Sequence, residues 1–97
     1  MIVSLHPEAD EELIAAAVHY ARHASRRVAA DFLDQFDRAI ALLQEYPRLG
    51  TPWRGEVRRF PLRRFPYSVV YSETAERLRV VAVAHQHRRP GYWRDRS

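Results

Sequence analysis

Ninety-seven residues, 46% apolar, with no Cys, sixteen Arg and no Lys, suffice for one small domain over residues 1–97 and exclude a disulfide framework, a thiol nucleophile and a Cys-ligated zinc. The net charge of +4 is segregated: through Tyr46 eight acids face four Arg, a net of −4, and from Pro47 onward twelve Arg face four acids, a net of +8. No apolar run approaches the roughly 20 residues of a bilayer span, and a Cys-free chain fits a reducing compartment, so a soluble cytoplasmic protein without a membrane partner is expected.

Ile2 to Leu5 is a short apolar run stopped by His6-Pro7, which reads as a strand running into a helix start. Pro7 suits the first helical position, and Glu8, Asp10, Glu11 and Glu12 crowd the first turns, where carboxylates favour the helix dipole. A helix from about Pro7 to His23 follows, with Ala9, Leu13, Ala16, Ala17 and Tyr20 forming one apolar stripe. Ser25 is placed to cap a second helix, in which Ala29, Phe32, Phe36, Ile40 and Leu43 recur at three and four residues as far as Tyr46. The short connection makes the pair an antiparallel hairpin.

Pro47, Gly50, Pro52 and Gly55 break the helical pattern. Val57–Leu62, Phe65–Ser72 and Leu78–His85 then read as strands of an antiparallel meander, rich in Val, Phe and Tyr. Strict alternation in the last run places Leu78, Val80, Ala82 and Ala84 on one face and Arg79, Val81, Val83 and His85 on the other. With apolar residues on both faces, that strand is expected at the centre of the sheet. The fold class is therefore α+β, in the order βααβββ, with a helical hairpin on one face of a small, mainly antiparallel sheet. A hairpin covers one face, so the other is left to solvent, a short C-terminal segment or a partner, and function is expected there.

The strands and the segment after them concentrate Arg58, Arg59, Arg63, Arg64, His85, His87, Arg88, Arg89, Tyr92 and Arg94. Cleaving RNA without metal needs a base for the 2′-hydroxyl, a proton donor for the departing 5′-oxygen and fixed positive charge for the phosphorane, roles that His, Tyr and Arg can fill. A plainer reading makes a His at a strand end a structural residue and gives Tyr67 and Tyr71, which share a face, to the core. His85-x-His87 lacks a third ligand, so no metal is expected, and no Gly-rich phosphate loop or nucleophile elbow calls for a cofactor.

The motifs His6-Pro7-Glu8-Ala9-x-x-Glu12-Leu13, Tyr46-Pro47-x-x-Gly50, Val57-Arg58-Arg59-Phe60-Pro61-Leu62, Phe65-Pro66-Tyr67 and Val83-Ala84-His85-x-x-Arg88-x-Pro90-x-Tyr92-Trp93 follow one another over nearly the whole chain. In this order they resemble the RelE/ParE superfamily, the toxins of bacterial type II toxin–antitoxin systems, also called plasmid stabilisation proteins. The resemblance implies a growth-arresting protein silenced by a cognate antitoxin. RelE-like members cut messenger RNA on the ribosome; ParE-like members inhibit DNA gyrase and are not nucleases. Matched in kind to the superfamily pattern, Arg58 or Arg64 serves as phosphate clamp, His85 or His87 as acid–base group and Tyr92 as a group near the leaving oxygen or stacked on a base. Arg59, Arg63, Arg88, Arg89 and Arg94 are then target or phosphate contacts. This chemistry favours ribosome-dependent mRNA cleavage by a metal-independent endoribonuclease. The His85-x-x-Arg88-Arg89 run and the lack of Lys point instead to gyrase inhibition, and a non-toxic binding module is a third expectation.

Overall fold

The computed structural model describes residues 1–96. Among them, β1 (Ile2–Leu5), α1 (Pro7–His23), α2 (Arg26–Glu45), β2 (Thr51–Pro52), β3 (Val57–Pro61), β4 (Tyr67–Glu73) and β5 (Arg77–His85) succeed one another. The strands form one sheet in the order β1-β5-β4-β3-β2, parallel between β1 and β5 and antiparallel elsewhere. The α+β class and the central place of the last long strand are as the sequence pattern predicts. The two-residue strand β2, paired with β3, is an addition to the expected order.

The helix boundaries follow from their caps. The Ser25 side chain accepts the Val28 N–H at 3.0 Å, and at the start of α1 His6 Nδ1 accepts the Glu8 N–H at 3.1 Å just before Pro7. The apolar stripes of both helices meet the sheet: Ala9, Ala16, Phe32, Phe36, Ala39 and Leu43 bury against Leu62, Phe65, Val69, Tyr71, Leu78, Val80 and Val83. Full burial of each large side chain in this set stabilises the fold by about 1.5–3 kcal/mol relative to exposure. Tyr67 and Tyr71 both lie on the helix side, with Tyr71 fully buried.

Strict alternation fails in β5. Val70 pairs with Ala82 and Tyr71 with Val80, which leaves Val81 as an extra residue in a β-bulge. Leu78, Val80 and Val83 consequently face the helices, while Val81, Ala82 and Ala84 face away. The expected split of this strand into two period-two sets is thus corrected beyond Val81, and His85 does not share the side of Val81.

The face away from the helices is not open. Trp93, 4% exposed, packs on Val70, Val81, Ala82 and Ala84, joined by Trp53, Val57 and Tyr92. The two indoles are 5.2 Å apart. Gly91 lets the C-terminal segment pass over Trp53: its φ is +84°, and a Cβ there would lie 2.8 Å from Trp53 Cη2. Neither helix is long and apolar enough to cross a membrane.

Candidate functional site

The main polar cluster of the described residues is built where β1 stops short. His6 N–H donates to Val80 O at 2.8 Å, after which the outer edge of β5 runs on without a strand beside it. Two side chains take over the missing backbone partners. Glu12 Oε1, from the second turn of α1, accepts the Val83 N–H at 3.0 Å, and Arg96 Nη1 donates to Val81 O at 3.0 Å. A buried strand edge needs such partners, because an unpaired amide or carbonyl away from water is destabilising.

Glu12 and Arg96 are also bound to each other, through Oε1–Nη1 at 2.9 Å and Oε2–Nη2 at 3.1 Å, while Arg96 Nε reaches Glu8 at 3.1 Å. Their side chains are 14% and 11% exposed, so this bidentate pair is screened from water far more than a surface ion pair. The Tyr92 hydroxyl donates to Glu12 Oε2 at 2.7 Å. The Arg88 guanidinium lies 3.7 Å from the centre of the Tyr92 ring and reaches Glu12 at 3.4 Å. Burial, then the bond to Glu12 and its charge, push the Tyr92 hydroxyl well above the ordinary tyrosine pKa, with Arg88 and Arg96 opposing. Burial disfavours the Arg96 cation, but Glu12 and Glu8 outweigh it and raise its pKa.

The residues nominated from sequence divide among several environments. His85 ends β5, its Nδ1 accepting the His87 N–H at 3.0 Å; its ring meets those of Tyr67 and His87 edge-on at 5.0 and 5.1 Å. Arg59, His85 and Arg88 line a small cleft with Ser68 and Trp93. Arg89 and Arg94 line a shallow one beside Tyr92 and Asp95. Arg58 instead points into the loop before β3, donating to Arg48 O at 3.1 Å and Gly50 O at 2.8 Å. Arg64, at φ 70°, pairs with Asp31 of α2 at 3.6 Å, and Arg63 lines a groove against α2 with Leu42 and Phe60. The picture of all these groups meeting on one uncovered sheet surface is therefore corrected: Trp53 and Trp93 cover that surface, and Arg58, Arg63 and Arg64 are directed elsewhere.

Glu12 and Arg96 were missed as site residues. Glu12 is one of four acids near a helix start, where the dipole accounts for it, although it recurs in the opening motif of the chain. Arg96 follows a run of Arg with nothing local to distinguish it. No group of three or more His, Asp or Glu among the described residues is arranged to hold a metal ion.

A hairpin of helices on a five-stranded mixed sheet, with an Arg-rich C-terminal segment strapped across it, is the setting in which the comparisons fall. The family model for the ParE toxin of type II toxin–antitoxin systems, parDE, matches residues 3–90, and the chain belongs to this family. Among solved structures it is similar to a chain of the chromosomal ParDE toxin–antitoxin system from P. aeruginosa, at 18% identity and a TM-score of 0.75 over 88% of this chain and 95% of the other. No curated protein matches the sequence. Membership in a toxin–antitoxin family implies a cognate antitoxin as partner.

Proposed function

We propose that this toxin arrests growth by binding a macromolecular target, with DNA gyrase as that target, and that it does not cut RNA. One observation carries the reading: Tyr92, His85, Arg58 and Arg64, four of the five groups nominated for proton transfer and phosphate clamping, are engaged within the protein itself. Tyr92 gives its hydroxyl to Glu12, and the same bond and burial make it a weaker acid than an ordinary phenol. His85 has one ring nitrogen on the His87 amide, while Arg58 and Arg64 hold the Arg48–Gly50 loop and Asp31. A leaving 5′-oxygen needs a donor whose pKa lies near working pH, which such a phenol does not supply. The match to the ParE branch supports gyrase, because the resemblance that places the chain in this superfamily assigns gyrase inhibition to that branch.

In this reading Arg59, Arg88, Arg89 and Arg94 are target contacts; β3 presents Arg59, and Glu12, Tyr92 and Arg96 hold the segment that presents the other three. RNA cleavage is the second reading, favoured by the grouping of His85, His87 and Arg88 around one turn. Two assays on the purified protein separate the readings. Added to gyrase and relaxed plasmid, it is expected to block supercoiling; added to a translating extract, it is expected to leave transcript ends unchanged. Normal supercoiling together with new 2′,3′-cyclic phosphate ends in message would replace the proposal with the nuclease.

A further inference from the structure

The charge asymmetry of the sequence is also an asymmetry in space. Glu8, Asp10, Glu11, Asp34, Asp37 and Glu45 belong to the two helices. On the other side, Arg54 lies over the Trp53 ring at 5.1 Å, Arg59 and Arg88 line the cleft beside Trp93, and Arg89 and Arg94 flank Tyr92. Among the described residues Arg54, Arg59, Arg89 and Arg94 form no ion pair, and all four are exposed. Arg88 adds a fifth guanidinium whose contact with Glu12 is long, at 3.4 Å. Asp95 is the acid that shares the cleft of Arg89 and Arg94. Unneutralised guanidinium groups around one surface create a field that selects a polyanion, and Arg forks match phosphate oxygens.

We infer that this surface docks on the phosphodiester backbone of duplex DNA. Charge favours a nucleic acid, and the aromatic residues decide which form. Single strands are held by stacking bases on accessible rings. Here Trp93 is buried, Trp53 is packed between Trp93 and Arg54, and Tyr92 lies beneath Arg88, so no ring in the layer is free to stack a base. What remains accessible is guanidinium, which suits a backbone read without its bases. The molecule measures 38 × 27 × 21 Å, so the layer can follow about one turn, roughly 34 Å, of duplex. The inference rests on the placement of charge and not on the choice of gyrase as target.

Fluorescence anisotropy of the intact protein with a labelled random-sequence duplex of about 20 base pairs tests it. Five phosphate contacts give a slope of log K against log salt of about −4.5, so affinity is expected to fall about 500-fold between 50 and 200 mM salt. The double variant Arg89→Glu, Arg94→Glu is expected to bind at least about thirty-fold more weakly at the lower salt. The double variant Arg26→Glu, Arg27→Glu makes the same change of net charge on the helix layer and is expected to bind within about three-fold of the parent. Circular dichroism establishes that both variants are folded. Equal losses in the two variants, no binding by the parent at 50 mM salt, or tighter binding of single-stranded RNA would each overturn the inference. Gyrase inhibition by a parent protein that does not bind duplex would overturn this inference alone.

Discussion

Glu12 and Arg96, 84 positions apart, are joined by two parallel hydrogen bonds of 2.9 and 3.1 Å, and each also completes the backbone edge of β5 that no strand pairs. The pair does the work of the strand that β1 is too short to supply. Removing Glu12 leaves the Tyr92 hydroxyl and the Val83 amide without their acceptor and Arg96 without its bidentate partner, in a setting largely closed to water.

Glu12→Ala is therefore expected to destabilise the fold by about 3–5 kcal/mol, the range for breaking a buried charged pair. Glu12→Gln retains an acceptor but not the charge and is expected to lose about half as much. Urea denaturation followed by tryptophan fluorescence measures both, because Trp93 lies in the segment that Glu12 holds and Trp53 packs against it. Equal stability of Glu12→Ala and the parent would dismiss the strap as a source of stability.

Alkaline pH is expected to act through the tyrosines. Burial raises the hydroxyl pKa values of Tyr20, Tyr67, Tyr71 and Tyr92 in the folded protein, with Glu12 adding to the shift at Tyr92. A raised pKa means that the folded state keeps a proton which the unfolded state releases near pH 10. The corresponding stability is complete below that pH and is lost as pH rises toward the folded values. Tyrosinate absorbance at about 295 nm from these residues is expected to appear together with the loss of circular dichroism, and Tyr92→Phe to reduce its amplitude. Ionisation of all four tyrosines in a still-folded protein would contradict this account.

The loop before β3 is held by a phenol as well as by Arg58. The Tyr71 hydroxyl donates to Pro47 O at 2.7 Å and accepts the Gly50 N–H at 2.9 Å. Tyr71→Phe is expected to lose about 1–3 kcal/mol. Gly50→Ala is expected to lose a similar amount for a steric reason, since its Cβ would lie 2.6 Å from that hydroxyl oxygen and 2.8 Å from the ring. Thermal melts of the two variants check both values; a neutral Gly50→Ala would mean that the buried Tyr71 ring moves aside freely.

His87 separates the two functional readings at one residue. It is exposed, its backbone N–H donates to His85, and its ring meets the His85 ring edge-on without a hydrogen bond. In the binding reading His87→Ala stays within about 0.5 kcal/mol of the parent in stability, and growth arrest on expression without antitoxin is retained. A folded His87→Ala that no longer arrests growth favours proton transfer by this imidazole.

Much of the architecture is legible from local pattern because local chemistry determines it. Ser25 and Pro7 mark helix starts, and the stripes through Ala16 and Phe36 mark buried faces. The parallel pairing of Ile2–Leu5 with Arg77–Val80 is set by tertiary packing, and no neighbouring residue announces it. The bulge at Val81 leaves no trace either, since Val80, Val81 and Ala82 are all acceptable strand residues on either face. That single extra residue is why His85 sits on the helix side, beside Tyr67. Arg59, Arg88, Arg89 and Arg94 were legible as a basic group, but the roles of Glu12 and Arg96 depend on a contact across almost the whole chain.

Strand β1 is synthesised well before β5, the strand it pairs with. Ile2–Leu5 leave the ribosome long before Arg77–Val80 exist, so the nascent chain holds an unmatched apolar edge throughout most of its translation. The sheet of this toxin is thus completed only after its final strand has emerged.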